Sequence, residues 1–591
     1  MADDLPDDFD VVVLGTGLIE TILAAAAARL GLSVLHLDGN EFYGVGWSSF
    51  NFDGLRRLEE GGVDACARPV DDASSAALVG QGEELVPFAW PQQFPYTDFE
   101  CRWHVEESAA AASPPQPSDS SAPPTGLSED GVSSPEKEPS ADGAAECAVA
   151  ADKGPTAEQS KQTAGAPPPP LSLSEKRRVI EEQYRKFNLD LTPKLLNARG
   201  ALVELLIRSG VGRYVEFKTV DRILNADDDG LVQIPCSREE VFQSSLLSLA
   251  DKRRLMRLLQ LALNVAARPD LLAAGDAEMT FAHFLEHRQQ LSASARRFVV
   301  ESIAMVDHSV PVPHGLRALA QFLNGVGRYG NSPFLWTIYG SGELPQCFCR
   351  LAAVNGATYC LRKSVEGWVR AAEDGRVVAV VSDGARIACR HLIVHPSYVY
   401  ERALEETRPD DRFLRRCTLV TDASLLSSEK ESISLLNVNR ADAALDTSAI
   451  RVVEVGQGAG VCPKSFFAVH LSCETGPSCS ADPFARLLGR LCAEGDDGGG
   501  PNVLWSCRFR QNVSGWRRVA EGYATPPNMA VTSAADGALD YEPALRKARA
   551  VFEKLWPASD FDEATTVARP AEQDEPVDEA ANPGNGFPQT A

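Results

Sequence analysis

The opening of the chain, residues 9–50, constrains the fold more than any other stretch. An apolar run, Val11–Leu14, ends in Gly15-Thr16-Gly17, and an Ala-rich segment from Leu18 to Leu30 follows. A second apolar run then ends at Asp38. Strand, glycine turn, helix, strand and acid, in this order, are typical of a nucleotide-binding βαβ unit. The opening therefore predicts an α/β fold.

One position of this motif departs from a working dinucleotide site. Gly15 and Gly17 would let the backbone approach a diphosphate, and Asp38 would hold a ribose hydroxyl. The third glycine position is taken by Glu20. A carboxylate at a helix N-terminus that should receive a diphosphate adds bulk and like charge. The sequence thus predicts the fold of a nucleotide-binding protein with an impaired nucleotide site.

Length and charge limit the class of protein. A chain of 591 residues can form several domains, and its formal net charge of −25 argues against a nucleic-acid binder or a basic membrane-binding surface. The N-terminus lacks the regions of a signal peptide, and no apolar run reaches the roughly 18 residues of a spanning helix. The 14 cysteines show no paired C-x-x-C spacing, so we expect reduced thiols and no metal site. These features predict a soluble protein of the cytoplasm, located in the cytosol.

Three segments, residues 1–105, 174–236 and 328–557, are predicted to form one α/β domain. In that domain a late strand and helix would join the N-terminal βαβ unit, as in large flavin-binding folds. Residues 237–327 have apolar positions at helical spacing and predict an inserted helical domain. The predicted fold class is α/β, with a flavin-binding-like multi-sheet domain and an all-helical insertion.

Two further segments are predicted to be disordered. Residues 106–173 consist largely of Ala, Ser, Pro, Gly and acid, and the tail, residues 558–591, is acidic. Too few large apolar side chains are present to offset the entropy lost on ordering. After the first segment the chain resumes with a weak capping box at Ser174, and a helix is predicted from Lys194 to Ser209.

A second distinctive stretch, Gly325–Pro345, alternates glycines with aromatic residues. Glycines give backbone freedom and rings give contact area, so the run suggests a mobile loop that contacts a partner. A connection that packs its own rings is an equally good interpretation. At its end, Glu343 and Arg350 are two turns apart on one helix face, where they form either a solvated ion pair or part of a recognition surface.

Three stretches carry a resemblance that extends over most of the predicted folded chain. They read GTGLIE, VLHLD and FYG near the N-terminus, then RYGNSPFLWTIYGSGELPQCFCRLAAVNGATYCL, then HPSYV at His395. In this order they resemble the family of Rab GDP-dissociation inhibitors and Rab escort proteins. The length of the chain, the insertion, the tail and pieces such as PCSREEVF favour the escort branch, the accessory component A of Rab geranylgeranyltransferase.

The resemblance implies four sites. They are a platform for the Rab GTPase, a mobile effector loop, a hydrophobic strip for the C-terminus of the Rab and a docking site for the transferase. The platform comprises Tyr43, Glu343, Arg350 and Thr358, and the mobile effector loop comprises Arg328, Tyr329 and Ser332. The hydrophobic strip comprises Leu202, Leu206 and Val211, and the docking site comprises Phe281 with Arg288.

Two positions qualify this assignment. Phe281 has core spacing with Phe284 and Leu285, so a buried ring is the alternative to a docking role. The family commonly has Tyr-Gly-Gly where this chain has Tyr43-Gly44-Val45-Gly46. The backbone beside the platform tyrosine is therefore expected to differ from that of the family.

The function implied by the resemblance is that of a non-catalytic escort. The chain would bind newly made GDP-bound Rab GTPases and present them to the α/β heterodimer of Rab geranylgeranyltransferase. It would then shield the geranylgeranyl lipid, in an apolar cavity of the helical domain, until membrane delivery. No FAD, metal, catalytic residue or nucleic acid is expected, and Gly15, Gly17, Glu20 and Asp38 would be vestiges of a nucleotide motif. The alternatives are a Rab GDP-dissociation inhibitor that only recycles prenylated Rabs, and a flavin-dependent oxidase.

Overall fold

The computed structural model describes residues 5–567, with gaps. The residues left out within that range are 62–77, 89–95, 107–170, 228–229, 236–239, 241–242, 245–246, 400–406, 428–430, 440–445 and 493–499. The predicted insertion, residues 106–173, thus lies almost entirely outside the described residues, as does the tail beyond residue 567.

The strands belong to two large sheets, one small sheet and one two-stranded pair. In chain order they are β1 (Asp8–Leu14), β2 (Val34–Asp38), β3 (Ser49–Phe50), β4 (Glu83–Pro87), β5 (Thr97–Trp103), β6 (Leu189–Asp190), β7 (Leu196–Asn197), β8 (Phe217–Thr219), β9 (Arg222–Asp227), β10 (Gly230–Gln233), β11 (Phe334–Thr337), β12 (Thr358–Leu361), β13 (Gly367–Ala371), β14 (Val377–Ser382), β15 (Ala385–Val394), β16 (Phe413–Thr421), β17 (Ser434–Val438), β18 (Ile450–Val455), β19 (Phe467–Thr475), β20 (Val503–Asn512) and β21 (Met529–Val531).

Several helices pack against the first large sheet, and others form much of the segment between β10 and β11. They are α1 (Leu18–Arg29), α2 (Phe52–Glu59), α3 (Leu173–Glu182), α4 (Ala201–Ser209), α5 (Leu249–Val265), α6 (Phe281–His287), α7 (Ala293–Arg297), α8 (Val312–Gly325), α9 (Glu343–Val354), α10 (Ala485–Leu491), α11 (Val513–Gly522), α12 (Glu542–Leu555) and α13 (Phe561–Thr565). A π-helix, Phe298–Ala304, follows α7 directly.

The N-terminal βαβ unit is confirmed and forms the centre of the first sheet. β2 returns parallel to β1 and ends at Asp38. The strand order is β12-β2-β1-β15-β14-β13-β4, and β21 pairs in parallel with the second half of β15. β12, β2, β1 and β15 are parallel neighbours, so the glycine turn lies where the carboxyl ends of parallel strands meet.

The burial of α1 explains its Ala-rich sequence. Every residue from Leu18 to Ala28 is buried. The helix packs against the sheet and also against α9, α12 and α13. A helix surrounded on all sides needs apolar residues on every face, and small ones let the neighbouring helices approach closely.

The end of the chain completes this domain, as the sequence predicts. β21 joins β15, and α12 packs on α1 in a shared apolar core. The prediction that the chain is structureless from residue 558 is wrong for its first ten residues, because α13 lies there. Phe561 is buried, and Arg29 of α1 donates hydrogen bonds of 2.5 Å to the carbonyls of Thr565 and Ser209. These tertiary contacts order a segment whose composition alone predicts disorder.

The second sheet is largely antiparallel and packs against the helical segment. Its strand order is β10-β9-β17-β18-β19-β16-β20-β5, in which β9 and β17 are parallel. Helices α5 to α8 and the π-helix lie within residues 237–327, the segment predicted to be helical. Their apolar side chains, including Leu255 and Leu316, share one core with Leu435 and Val453 of the second sheet.

Two local predictions are wrong. The capping box is made by Ser172 and Glu175 rather than by Ser174, because each of these side chains accepts a hydrogen bond from the backbone N–H of the other. The helix predicted from Lys194 begins only at Ala201. Residues Leu196–Asn197 instead pair with β11, which draws the chain into the small sheet β7-β11-β8.

Candidate functional site

The glycine turn is held by side chains of the protein itself. The Asp38 carboxylate accepts hydrogen bonds from the backbone N–H and the hydroxyl of Thr16, at 2.7 and 2.6 Å, and from Asn40 at 2.8 and 2.9 Å. The Thr16 hydroxyl also accepts a hydrogen bond of 3.0 Å from Gly44, next to Tyr43. Burial raises the pKa of Asp38, and these hydrogen bonds oppose that rise. The acid that would hold a ribose therefore holds the protein's own turn.

Glu20 fills the space beneath the same turn. Its side chain is 1% exposed, and Thr532 donates a hydrogen bond to one carboxyl oxygen. The other oxygen has no hydrogen-bond partner among the described residues, and a Cβ atom at Gly17 would lie 2.4 Å from it. Burial raises the pKa of Glu20 to about 8, so the carboxyl is mostly neutral at pH 7. Asp38 and Glu20 thus do not fit the ribose and diphosphate of a bound dinucleotide.

Replacing Glu20 by Gln should change how stability depends on pH. Because the pKa of Glu20 is raised to about 8 from 4.5, the folded protein keeps a proton that the unfolded chain releases between these values. The wild-type protein therefore loses stability as pH rises from about 4.5 to about 8, whereas a neutral Gln contributes no such loss. The melting temperature of Glu20→Gln relative to wild type should rise over this range and level off above it. A constant difference across the range would contradict the argument.

Tyr43 lies beside β12 at the edge of the first sheet. Its half-buried ring meets the edge of the Tyr359 ring, with centroids 6.2 Å apart. Tyr359 in turn contacts the buried ring of His36, at 4.8 Å. Thr358, the residue before Tyr359, begins β12 and is half-buried. Tyr43 and Thr358, both predicted for the platform, thus meet at one edge through Tyr359.

The backbone beside Tyr43 is unusual. Gly44 has a φ of 102°, and Val45 has a φ of 48°. A β-branched residue in the left-handed region is strained, and such strain persists only where surrounding contacts impose it. Here the Ser48 hydroxyl donates a 2.6 Å hydrogen bond to the Tyr43 carbonyl, and the Val45 side chain is buried. Because Val45 stands where the family commonly has the second glycine, a strained residue lies two positions after Tyr43.

Glu343 and Arg350 both belong to α9 but do not pair with each other. The exposed guanidinium of Arg350 stacks on the Tyr214 ring, 4.4 Å from its centroid. Glu343 is half-buried at the helix N-terminus, and burial raises its pKa. In the described part of the chain, its carboxylate has no hydrogen-bond or ion-pair partner. These positions favour a recognition surface over the solvated ion pair.

Helix α9 connects the two parts of this surface. The buried Cys349 thiol lies beside Tyr359, on the side of Tyr43. The Cys347 thiol donates a hydrogen bond of 3.5 Å to the carbonyl of Tyr214, on the side of Arg350. Neither Tyr214 nor Tyr359 was predicted, because Tyr214 is far from α9 in the sequence and no spacing distinguishes Tyr359. We call the set Tyr43, Tyr214, Glu343, Arg350, Thr358 and Tyr359 the α9 surface.

The glycine-aromatic stretch is part turn and part core. Arg328 follows α8, donates a 2.9 Å hydrogen bond to the Ala198 carbonyl and pairs with Glu204. Tyr329 is 49% exposed, whereas Ser332 is buried and accepts a hydrogen bond from the next strand. From Phe334 the chain forms the buried strand β11. The prediction of a loop over the whole of Gly325–Pro345 is therefore wrong for its second half.

All three residues of the predicted hydrophobic strip are buried. Leu202 and Val211 lie in the apolar core around α1. Leu206 belongs to the same core and also lines a cavity of about 400 Å³ together with Tyr329 and with Ile207, which is 53% exposed. The rest of the lining comprises Val203, Gly212, Phe217, Thr219 and Leu335. Of the lining residues on α4, Ile207 is exposed, whereas Val203, four positions earlier, is buried.

Phe281 is a core residue in this structure. Its ring is 0% exposed on the same helix face as Phe284 and Leu285, and a Cβ atom at Gly315 would lie 2.3 Å from it. An enclosed ring cannot dock on a partner, so the docking prediction for Phe281 is wrong and the alternative, a buried ring, holds. Arg288 lies at the surface, where its Nε donates a 2.8 Å hydrogen bond to Asp276.

Two further features concern metals and membranes. Among the residues that the structure describes, no group of His, Cys, Asp and Glu could hold a metal ion. None of the described helices is long and apolar enough to cross a membrane. The described cysteines are free thiols: Cys101, Cys347, Cys349, Cys360, Cys389, Cys417, Cys462, Cys473, Cys479, Cys492 and Cys507.

The fold and the site together define a class of protein. It has nucleotide-binding topology, the acid that would hold the nucleotide instead binds the protein's own backbone, and the α9 surface of polar and aromatic side chains lies beside it. A family model described as GDI, GDP dissociation inhibitor, matches residues 5–62 and 172–491. The chain belongs to the GDP dissociation inhibitor family, as the resemblance predicts.

Curated relatives match nearly the whole chain. The Rab proteins geranylgeranyltransferase component A 1 of Rattus norvegicus is 32% identical, over 95% of this chain and 92% of its own length. The human protein of the same name is 33% identical over the same shares. The Rab GDP dissociation inhibitor beta of Rattus norvegicus is also 33% identical, but over 37% of this chain and 50% of its own length.

A solved structure supports the fold. The crystal structure of a Rab GDI from Plasmodium falciparum aligns with a TM-score of 0.58 at 18% sequence identity. The alignment covers 94% of this chain and 99% of that one. The predicted fold class is thereby confirmed.

Proposed function

We propose that this chain is a Rab escort protein, the non-catalytic component A of Rab geranylgeranyltransferase. It binds newly made GDP-bound Rab GTPases and presents them to the transferase heterodimer. The observation that carries this proposal is the extent of similarity: relatives named component A match over 95% of the chain, whereas the GDP dissociation inhibitor beta matches over 37%. The alternative is an inhibitor that only recycles prenylated Rabs. It explains the match to the inhibitor beta but not the longer match to the component A proteins.

The α9 surface is the proposed Rab-binding platform. Tyrosine and arginine are enriched at protein interfaces because they combine large contact area with hydrogen bonding. Glu343 lacks a partner for its carboxylate among the described residues, so a basic group or N–H of the GTPase would satisfy it at little cost. GTPase switch segments rearrange when the γ-phosphate is absent, and a surface complementary to the rearranged form selects the GDP-bound state.

The cavity beside α4 is the proposed site for an apolar segment of the Rab C-terminus. Its lining is mostly apolar, and Tyr329 and Ile207 border it at the surface. Arg328 is anchored to Ala198 and Glu204, which positions Tyr329 at the rim. After prenylation the escort would also shield the lipid, because each CH₂ moved from water to an apolar site gains about 0.8 kcal/mol.

We further propose that the protein acts without FAD. The carboxylate of Asp38 is engaged by Thr16 and Asn40, and Glu20 occupies the place of the third glycine. A flavin-dependent oxidase would require a free Asp38 carboxylate to bind the ribose and a glycine in place of Glu20. Protein purified from cells grown with riboflavin should show no flavin absorbance, and a stoichiometric flavin spectrum would overturn this part of the proposal.

Reconstituted prenylation tests the function directly. Unprenylated Rab, the transferase heterodimer and geranylgeranyl diphosphate are combined with and without this chain. We expect incorporation of the lipid only when the chain is present. A chain that binds prenylated Rab but supports no incorporation would establish the recycling inhibitor instead, and a chain that binds neither form would exclude both.

A further inference from the structure

A pair of cysteines lies across two neighbouring strands of the second sheet. Cys101 of β5 stands directly opposite Cys507 of β20 in the antiparallel register. Both side chains contribute to the same apolar cluster, which also contains Trp505 and Phe509. The two thiols therefore point to the same face of the sheet.

Backbone hydrogen bonding indicates the type of pair that they form. The N–H of Cys101 donates a 2.9 Å hydrogen bond to the carboxylate of Glu59, not to the backbone of β20. Opposed residues that exchange no backbone hydrogen bonds are the closest pairs of an antiparallel sheet, with Cα atoms about 4.5 Å apart. Disulfides span Cα separations from about 4.4 to 6.8 Å, so this pair can be bridged without moving the strands.

The two thiols differ in environment. Cys101 is half-buried, whereas Cys507 is 1% exposed. The neighbouring Cys101 thiol, together with burial, raises the pKa of Cys507 well above its usual range. Cys507 thus stays protonated beside the sulfur of Cys101. An accessible thiol beside a resolving thiol is the arrangement found in redox-sensitive pairs.

We propose that Cys101 and Cys507 form a reversible disulfide when the protein meets a hydroperoxide. The thiolate of Cys101 attacks one oxygen of hydrogen peroxide, the O–O bond breaks, and the products are a sulfenic acid and, after protonation, one water. The sulfur of Cys507 then displaces the hydroxyl group from the sulfenic sulfur, which forms the S–S bond and releases a second water. Two thiols lose two electrons and the peroxide gains them. A small thiol restores both cysteines by exchange.

The bond would fasten an edge strand to its neighbour. β5 is the last strand of the second sheet, and among the described strands it pairs only with β20. The two cysteines are 406 positions apart in the sequence (507 − 101). A crosslink that closes so long a loop restricts the unfolded chain, so the oxidised protein should melt higher, by about a few degrees. A small thiol should reverse this rise.

Mass spectrometry of the intact, full-length protein tests the proposal. The reduced protein is treated with a small excess of hydrogen peroxide, remaining thiols are alkylated, and the chain is digested with trypsin. The Arg68–Pro69 bond resists trypsin, so cleavage after Arg57, Arg102, Arg490 and Arg508 gives the peptides 58–102, with Cys66 and Cys101, and 491–508, with Cys492 and Cys507. We expect these peptides to be joined and to have lost two hydrogens.

Three variants identify the cysteines involved. Cys492→Ser should leave the joined peptide unchanged, whereas Cys507→Ser should abolish it and leave Cys101 as a sulfenic or sulfinic acid. Because Cys507 is buried and its replacement can impair folding, Cys101→Ser at the half-buried position provides the same test. The proposal is overturned if the joined peptide is absent in the wild type, or if it persists in either variant that lacks a partner.

Discussion

Replacing Arg350 by Ala should weaken the binding of GDP-bound Rab about 10- to 100-fold while leaving the protein folded. The guanidinium is exposed and stacks on the Tyr214 ring, so its removal leaves no buried charge unpaired. Interface arginines that act as hot spots contribute about 2 kcal/mol or more, and about 1.4 kcal/mol corresponds to a tenfold change in affinity. The affinity is measured by titrating Rab loaded with a fluorescent GDP analogue.

Two control variants test whether the loss of affinity is specific to Arg350. Arg178 of α3 is an exposed arginine whose Nε lies 3.5 Å from Glu182, away from the α9 surface, so Arg178→Ala should bind Rab like the wild type. Arg350→Lys keeps the charge but loses the planar guanidinium that stacks on a ring, so it should recover only part of the affinity. Equal affinities for Arg350→Ala and Arg178→Ala would remove Arg350 from the platform.

Replacing Lys194 by Met should lower the free energy of unfolding by about 3 kcal/mol or more. The Lys194 side chain is fully buried, and its ammonium donates hydrogen bonds to the Asp536 carboxylate at 2.5 Å and to the Ala538 carbonyl at 2.6 Å. Burial lowers the pKa of Lys194, and Asp536 opposes this shift. Met keeps the apolar stem but leaves Asp536 without its cation. Urea denaturation of the purified protein measures the loss.

A second substitution separates the lost charge from lost packing. Asp536→Asn in the Lys194→Met background removes the unpaired carboxylate, so the double variant should recover part of the stability. Lys363 provides a surface comparison, because it forms a 2.7 Å ion pair with Asp383 in which both side chains are partly exposed. Lys363→Met should cost less than about 1 kcal/mol. Equal losses at both positions would show that burial of the pair around Lys194 is unimportant.

The parts of the fold that follow from sequence are those set by local chemistry. Gly15, Gly17 and Asp38 predicted the βαβ unit because a tight turn between two buried strands needs these residue types. A helix that carries Glu343 and Arg350 was also predicted, and α9 contains both residues. The closing strand β21 and helix α12 were also predicted from their patterns.

The predictions for site residues fell short for one physical reason, since each depends on which side of an element meets the rest of the protein. Leu202 and Val211 are apolar residues on the inner face of their segment, and the sequence does not distinguish an apolar residue that lines a cavity from one in the core. Phe281 is enclosed because Gly315 of a distant helix leaves room for its ring. Arg350 meets Tyr214 rather than Glu343, a contact between residues far apart in the chain.

Because α1 packs against helices α12 and α13 from the other end of the domain, its core can be completed only late in synthesis. Between the end of β2 at Asp38 and the start of β21 at Met529, the ribosome must add 491 residues (529 − 38). At roughly 5–20 residues per second, this takes about 25 to 100 s. During that time α1 lacks α12 and α13, which bury much of its apolar surface in the finished protein. The βαβ unit is therefore synthesised long before the elements that complete its core, and part of its apolar surface stays uncovered in the meantime.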